Sequence, residues 1–288
     1  MAIKTLREVL KEADEGGYGV GMFNVIDLET IQSVILAAEE NSSPVILSLP
    51  EVDWWYVDTE SVIQVMVKKA DACSVPVVLH YDHGHNFEFM KKLLDNGWTS
   101  LMIDESKKPL EKNIEITAAV VEMARKYGAS VEGELGHVPF DEGQTGDMIT
   151  ELEDMYTRVD EAIRFTEKTG VDALAVAIGT VHGEFKFTPA LNFERLEELH
   201  SRLKIPLVLH GGSGLSAVDF KKCIALGVRK INVFTEIMLE PGKAVKQRLS
   251  EQPSWKAGYT DLMGLAINSM KEAVKRNMDI FGSSNKAR

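Results

Sequence analysis

The stretch IPLVLHGGSGLSAVDFKKCIALGVRKINV, residues 205–233, decides the fold. It opens with a short apolar run (205–210) and closes with another (RKINV, 229–233). Between them a glycine turn leads into an amphipathic segment around Cys223 that reads as a helix. Two strands joined by a connection of helix length read as parallel neighbours, since antiparallel partners need only a hairpin. Working outward, the same unit recurs. Strand-like runs stand at 19–23 (GVGMF), 44–49 (PVILSL), 75–80 (VPVVLH), 99–103 (TSLMI), 129–134 (ASVEGE) and 172–178 (DALAVAI), which with the opening pair makes eight. Helical spacing fills the gaps, as in Ile31, Val34, Ile35 and Ala38, in Ile114, Thr117, Ala118, Val121 and Ala124, and in Ala162, Ile163 and Phe165. Eight alternations predict an α/β chain folded as a TIM (β/α)8 barrel. The competitor is an open doubly wound sheet, but no Gly-rich turn follows the first strand, where Phe23-Asn24-Val25 leads straight toward a helix.

A chain of 288 residues accommodates one such barrel. No linker or charge block divides it, so 1–288 reads as a single domain. Ile3, Leu6, Val9, Leu10 and Ala13 predict a surface helix ahead of the first strand, ended by Gly16-Gly17. Two further helical patterns occupy 236–281, broken at Pro253 and Trp255; this C-terminal helical extension is expected to cover a barrel end or form a subunit interface. Acidic residues number 44 against 32 Lys plus Arg, a net charge of -12 that repels nucleic-acid backbones and anionic membranes alike. Neither is an expected partner. No apolar stretch approaches the roughly 18 residues of a membrane span, and no export signal opens the chain. Cys73 and Cys223 sit in helical runs and read as buried reduced thiols, which fits a soluble cytoplasmic protein.

Reacting groups in a barrel sit where strands end and the following loops begin. His80-Tyr81-Asp82-His83-Gly84-His85 stands at the third strand's end, Ile178-Gly179-Thr180-Val181-His182-Gly183 at the sixth, His210-Gly211-Gly212-Ser213-Gly214 at the seventh, and His137 after the fifth. The fold brings these ends into one mouth. Neutral imidazoles converging with a position left open suit a catalytic Zn²⁺, and His83, His182 and His210 are read as its ligands. Asp82 is placed to give and take a proton beside the metal; it reads equally as a carboxylate that orients an imidazole. Gly211, Gly212, Gly214 and Ser213 precede a helix, whose positive end suits a phosphate, with Asn232 and Thr235 after strand eight and Lys186 beyond His182 adding contacts. A plain tight turn is the alternative for the glycines. Asn24, at the end of strand one, is counted with the substrate-binding residues. Glu132 and Glu134 share one side of strand five and Asp104 ends strand four. They form an internal polar network or, at Asp104 and Glu134, an alternative metal position; the network is preferred. The long polar loop 136–150 reads as an active-site lid.

HYDHG, VEGELG, DALAVAIGTVHGEFK, LVLHGGSG and KINVFTE resemble, in order and spacing, the class II metal-dependent ketose-bisphosphate aldolases, over about residues 4 to 282. The resemblance implies zinc on His83, His182 and His210, with Asp82 as acid/base on a C4 hydroxyl. It implies that Gly183, Lys186, Gly211, Ser213, Asn232 and Thr235 bind the dihydroxyacetone phosphate part of a sugar phosphate, and that Glu142 exchanges the proton at the enediolate carbon. It also implies a homodimer or homotetramer and a monovalent cation, Na⁺ or K⁺. A Schiff-base aldolase would need a lysine at a strand's C-terminal end; Lys230 precedes its strand and is expected at the opposite end.

Departures from the family pattern narrow the substrate. Pro50 stands where bisphosphate enzymes carry Ser or Thr, 257–261 reads AGYTD without the usual arginine, and Phe234 replaces an acidic residue. Trp54, Trp55 and Tyr56 crowd the loop after strand two, as walls for an aldehyde or as an interface cluster. Pro139-Phe140 replace a Gly-Gly in the lid. The expectation is an aldolase that cleaves a ketose 1-phosphate to dihydroxyacetone phosphate and an aldehyde without a second phosphate. A fructose- or tagatose-1,6-bisphosphate aldolase and a non-catalytic sugar-phosphate sensor are the alternatives.

Overall fold

Strands β1 (Val20–Asn24), β2 (Val45–Pro50), β3 (Val77–Gly84), β4 (Ser100–Ile103), β5 (Ser130–Leu135), β6 (Ala173–Val176), β7 (Leu207–Leu209) and β8 (Val228–Val233) pair in parallel in chain order, and β8 closes on β1. The computed structural model describes residues 2–51, 57–139, 155–183 and 190–287. The expected TIM barrel is present. β7 is shorter than its apolar run because Pro206 has no N–H for the ladder. Helices α1 (Leu6–Gly16), α2 (Leu28–Glu40), α3 (Thr59–Asp71), α4 (Phe87–Asp95), α5 (Leu110–Arg125), α6 (Val159–Thr169), α7 (Phe193–Arg202), α8 (Ala217–Ala225), α9 (Thr235–Glu251) and α10 (Tyr259–Phe281) complete the described elements. Asp27, Asp58, Asn86, Asn192 and Ser216 each cap a helix by accepting the backbone N–H three residues on. Each such cap stabilises by about 1 kcal/mol. All five follow strand ends, so they also shape the loops around the mouth.

Side chains alternate between the barrel's inside and its helix-covered outside. Outward residues such as Phe23, Leu47, Leu79, Leu101, Val131 and Leu209 join the helices in the larger core. The lower interior holds Val20, Met22, Ile46, Val78, Met102, Ala173, Ala175 and Val208, in contact with Leu6, Val9, Leu10 and Ala13 of α1. Helix α1 is therefore a plug for the barrel's N-terminal end, not the surface helix expected. Its amphipathic spacing reports an apolar face without saying what covers that face. Above this layer the interior turns polar, with Asn24, His80, Asp82, Glu132, Glu134, His210, Lys230 and Asn232 all buried.

The C-terminal extension breaks where expected, between α9 and α10. Helix α10 packs against α2 and α9 and also meets α8 and β1, so it lies in the outer wall. Met270, Ala273, Val274, Met278 and Phe281 fill that contact. Among the described residues no helix is long and apolar enough to cross a membrane.

Candidate active site

Strict alternation along β3 would send Asp82 inward and the next side chain outward. Instead the β3–β4 register shifts between Tyr81 and Gly84, and His83 adopts φ 49°. This left-handed conformation costs an L-residue about 1–2 kcal/mol. The result is that Asp82 and His83 both reach the mouth.

Three imidazoles meet there. The ring of His83 lies 5.0 Å from that of His182 and 4.8 Å from that of His210, with all three rings nearly perpendicular to one another. Each has an acceptor behind it. His83 Nδ1 is 2.9 Å from Asp104 Oδ2, His182 Nδ1 is 3.2 Å from the Val138 carbonyl, and His210 Nε2 is 2.9 Å from Glu132 Oε1. Carboxylates and carbonyls only accept, so those nitrogens carry the ring protons, and His83 Nε2, His182 Nε2 and His210 Nδ1 keep lone pairs. His83 Nε2 and His210 Nδ1 face each other at 3.1 Å. Two lone pairs at that distance repel unless a cation or proton lies between them. Donors on a tetrahedral zinc stand about 3.3 Å apart, so the residues fit such an ion. Burial works to lower the pKa of His83, but the charge on Asp82 and the hydrogen bond to Asp104 overcome it, raising His83 to about 10, so the ring takes up a second proton at Nε2 unless a metal ion displaces it.

His83, Asp104 and Glu134 form a second group whose donor atoms also lie within 4.8 Å of one another. Burial and the charge of Asp104 push Glu134 up to about 8, and its Oε2 has no hydrogen-bond partner among the described residues. Glu132 plays the other part foreseen for the pair. Burial would raise it, but Lys230 holds it well below the usual carboxylate range, and it anchors His210. Lys230 itself requires a correction. Strand β8 starts at Val228, so Lys230 lies within it, level with Val20, fully buried inside the barrel and 2.9 Å from Glu132 Oε2.

Asp82 is buried and receives Asn24 Nδ2 at 3.1 Å and Asn232 Nδ2 at 3.4 Å. Burial raises its pKa, but the charges of His83, His210 and Lys230 outweigh this and leave it lowered. It is an ionised carboxylate, ready to accept a proton.

A cavity of about 350 Å³ opens in front of these groups. Asn24, Asp82, His83, His182, Gly183, Gly211, Ser213, Asn232 and Thr235 line it, with Gly212 and Phe234 beside them. The N-cap residue of helix α9, Phe234, supplies no side-chain cap, and the helix N-terminus faces this space at Thr235. Ser213 Oγ accepts the Glu236 N–H at 3.3 Å and ties the glycine turn to that end. Unmatched N–H groups beside a glycine turn suit an anion. Gly211 is required by its backbone: at φ 65°, a Cβ would sit 2.4 Å from the Val181 carbonyl oxygen. Gly211→Ala should lower stability by about 1–3 kcal/mol and raise KM for the phosphate-bearing substrate. Thermal unfolding and steady-state kinetics check this; an unchanged melting temperature and KM would refute it.

Lys186, Glu142, Trp54, Trp55, Tyr56 and Phe140 lie outside the described residues. Sequence reading did not single out a second cavity, of about 410 Å³, that shares His83 and His182 and is lined by Glu51, His85, Lys107, Lys108 and His137. Lys108 pairs with Glu105, whereas Lys107 has no ion-pair partner among the described residues. The signal was Lys107-Lys108 in the loop after strand four.

Comparison with known proteins agrees with this fold. The family described as fructose-bisphosphate aldolase class-II matches residues 4–286. A probable fructose-bisphosphate aldolase of Bacillus subtilis (strain 168) is 42% identical over 290 residues, covering 100% of both chains. A fructose-bisphosphate aldolase of Staphylococcus epidermidis is 40% identical over 296 residues, again covering 100% of both. Among solved structures, the YdjI aldolase from Escherichia coli K12 superposes with a TM-score of 0.87 at 35% identity, covering 99% of this chain and 100% of that one. A putative fructose-1,6-biphosphate aldolase from Coccidioides immitis gives 0.84 at 30% identity, covering 98% and 97%. The closed parallel barrel, the cluster of imidazoles at its mouth and these full-length matches make this chain a member of the class-II fructose-bisphosphate aldolase family, and so an aldolase, a carbon–carbon lyase.

Proposed function

We propose that this aldolase reversibly cleaves a ketose 1-phosphate into dihydroxyacetone phosphate and an aldehyde without a second phosphate. The observation that carries the reading is Pro50, which ends β2 level with Asp82 and is buried. A phosphate dianion needs charge-assisted donors, and a proline has neither hydroxyl nor N–H to give.

In this reading the phosphate of the three-carbon half rests on Gly183, Gly211, Ser213, Asn232 and Thr235, and the C4 hydroxyl faces Asp82. Asp82 accepts the hydroxyl proton as the C3–C4 bond breaks. C4 leaves as an aldehyde, and the bonding pair stays on the three-carbon half as an enediolate. Asn24 and Asn232 hold the carboxylate in place through their amide N–H groups. His83, His182 and His210 would hold Zn²⁺, which when bound stabilises negative charge on the ketone oxygen. Glu142 is assigned the proton at the enediolate carbon, and Lys186 a place beside the phosphate. A cytoplasmic homodimer or homotetramer, a single domain over 1–288 and a monovalent cation belong to the same reading. The two cysteines, both free and buried, suit a reducing compartment.

A second reading, a conventional bisphosphate aldolase, is favoured by the names of the relatives and by the unpaired Lys107 of the second cavity. Condensation assays with dihydroxyacetone phosphate and a panel of neutral and phosphorylated aldehydes separate the two. The neutral aldehydes should have kcat/KM about tenfold or more above their phosphorylated counterparts, the size of one unmatched charged group. The opposite preference would establish the bisphosphate reading, and binding without any product would restore the sensor.

A further inference from the structure

We infer that Lys230 is a positioning residue for both halves of the site, aiming His210 through Glu132 and fixing which way the Asn232 amide faces. Its side chain has no exposed surface, and it sits one inward layer below Asn232 on the same strand. Its Nζ donates to Asn232 Oδ1 at 2.8 Å and lies 2.9 Å from Glu132 Oε2. An ammonium only donates. The amide oxygen of Asn232 must therefore turn down toward Lys230, which leaves Nδ2 between Asp82 Oδ1 at 3.4 Å and the edge of the His210 ring at 3.2 Å.

The second branch runs through Glu132. With Oε2 drawn to the Lys230 charge in an ion pair, Oε1 is left to accept His210 Nε2–H at 2.9 Å. That proton assignment is what turns the Nδ1 lone pair of His210 toward His83. His80 Nε2, at 3.8 Å from Glu132 Oε2, is too far to replace the lysine. Without the ammonium, Glu132 would be a buried carboxylate with no cation beside Oε2, free to rotate away from the imidazole, and the Asn232 amide would be free to flip. The same contacts explain why this lysine serves no Schiff base: its Nζ is committed below the cavity, and Lys230 is not among the residues lining it.

The inference rests on His210 as a metal ligand, and Co²⁺ binding to the full-length parent, stripped of metal, tests that premise separately. Absence of binding there would defeat the proposed metal site. Given binding in the parent, Lys230→Met should weaken Co²⁺ affinity by about 10- to 100-fold, as the loss of support behind a ligand does. It should also shift the visible Co²⁺ absorption and raise KM for dihydroxyacetone phosphate severalfold through Asn232. Glu132→Gln should reproduce the metal effect. The Lys230→Met/Glu132→Gln double variant should bind Co²⁺ no more weakly than the poorer single variant, because the two act in series. A folded Lys230→Met protein with unchanged Co²⁺ affinity, spectrum and KM would overturn the inference. Should that variant fail to fold, Glu132→Gln decides, and unchanged Co²⁺ affinity there would equally overturn it.

Discussion

Asp82→Asn is expected to lower kcat by about 10²–10⁴-fold, the range of a positioned general acid/base, with metal content retained. The substitution keeps size and shape but removes the proton acceptor. Asp82 belongs to neither group of candidate metal donors, so metal content should stay at the parent value. A smaller binding effect is built in. Asn24 and Asn232 both donate to Asp82, and an amide offers only one oxygen, so one donor loses its partner at a cost of about 1–3 kcal/mol. Steady-state kinetics in the cleavage direction, beside metal analysis of the purified variant, would show this. A kcat within threefold of the parent would reduce Asp82 to an orienting carboxylate, the alternative its sequence leaves open.

The second large effect concerns the metal. His182→Ala should abolish tight Zn²⁺ binding and lower activity by about 10³-fold or more, because a Lewis acid supplies several kcal/mol and each 1.36 kcal/mol is a factor of ten. His182 is the informative choice among the three. Its Nδ1 meets the Val138 carbonyl, a neutral group, whereas His83 and His210 are tied to the buried carboxylates Asp104 and Glu132. Removing either of those would leave an unmatched charge inside the barrel and confuse metal loss with destabilisation. Chelation of the parent chain should have the same effect, reversed by added Zn²⁺. Full activity in a metal-free preparation would end the metal reading.

How much of this was legible in sequence depends on the range of the interaction involved. His83, His182 and His210 could be brought together on paper because each ends a strand-like run, and the ends of eight parallel strands share one rim. The glycine turn at 211–214 and Asn232 could be placed in the same way. Lys230 could not. Placed ahead of β8, it was expected at the barrel's far end, whereas the strand already starts at Val228 and carries it into the interior, and its partner Glu132 lies three strands away. Helix α1 showed its apolar face plainly but not its place beneath the barrel. The φ 49° of His83 left no trace in composition or spacing, because it depends on a register shift between two strands.

The alternation of strand and helix, the helix starts at polar capping residues and the set of polar side chains at the rim were determined by sequence alone. All arise from the periods of single elements and from contacts a few residues apart. Tertiary structure alone decided which inward side chains touch, which of Glu132 and Glu134 anchors an imidazole, how α10 takes its place in the wall, and that a second cavity adjoins the first. These follow from barrel closure, whose register sets distances between residues a hundred or more positions apart, and no local pattern records that register.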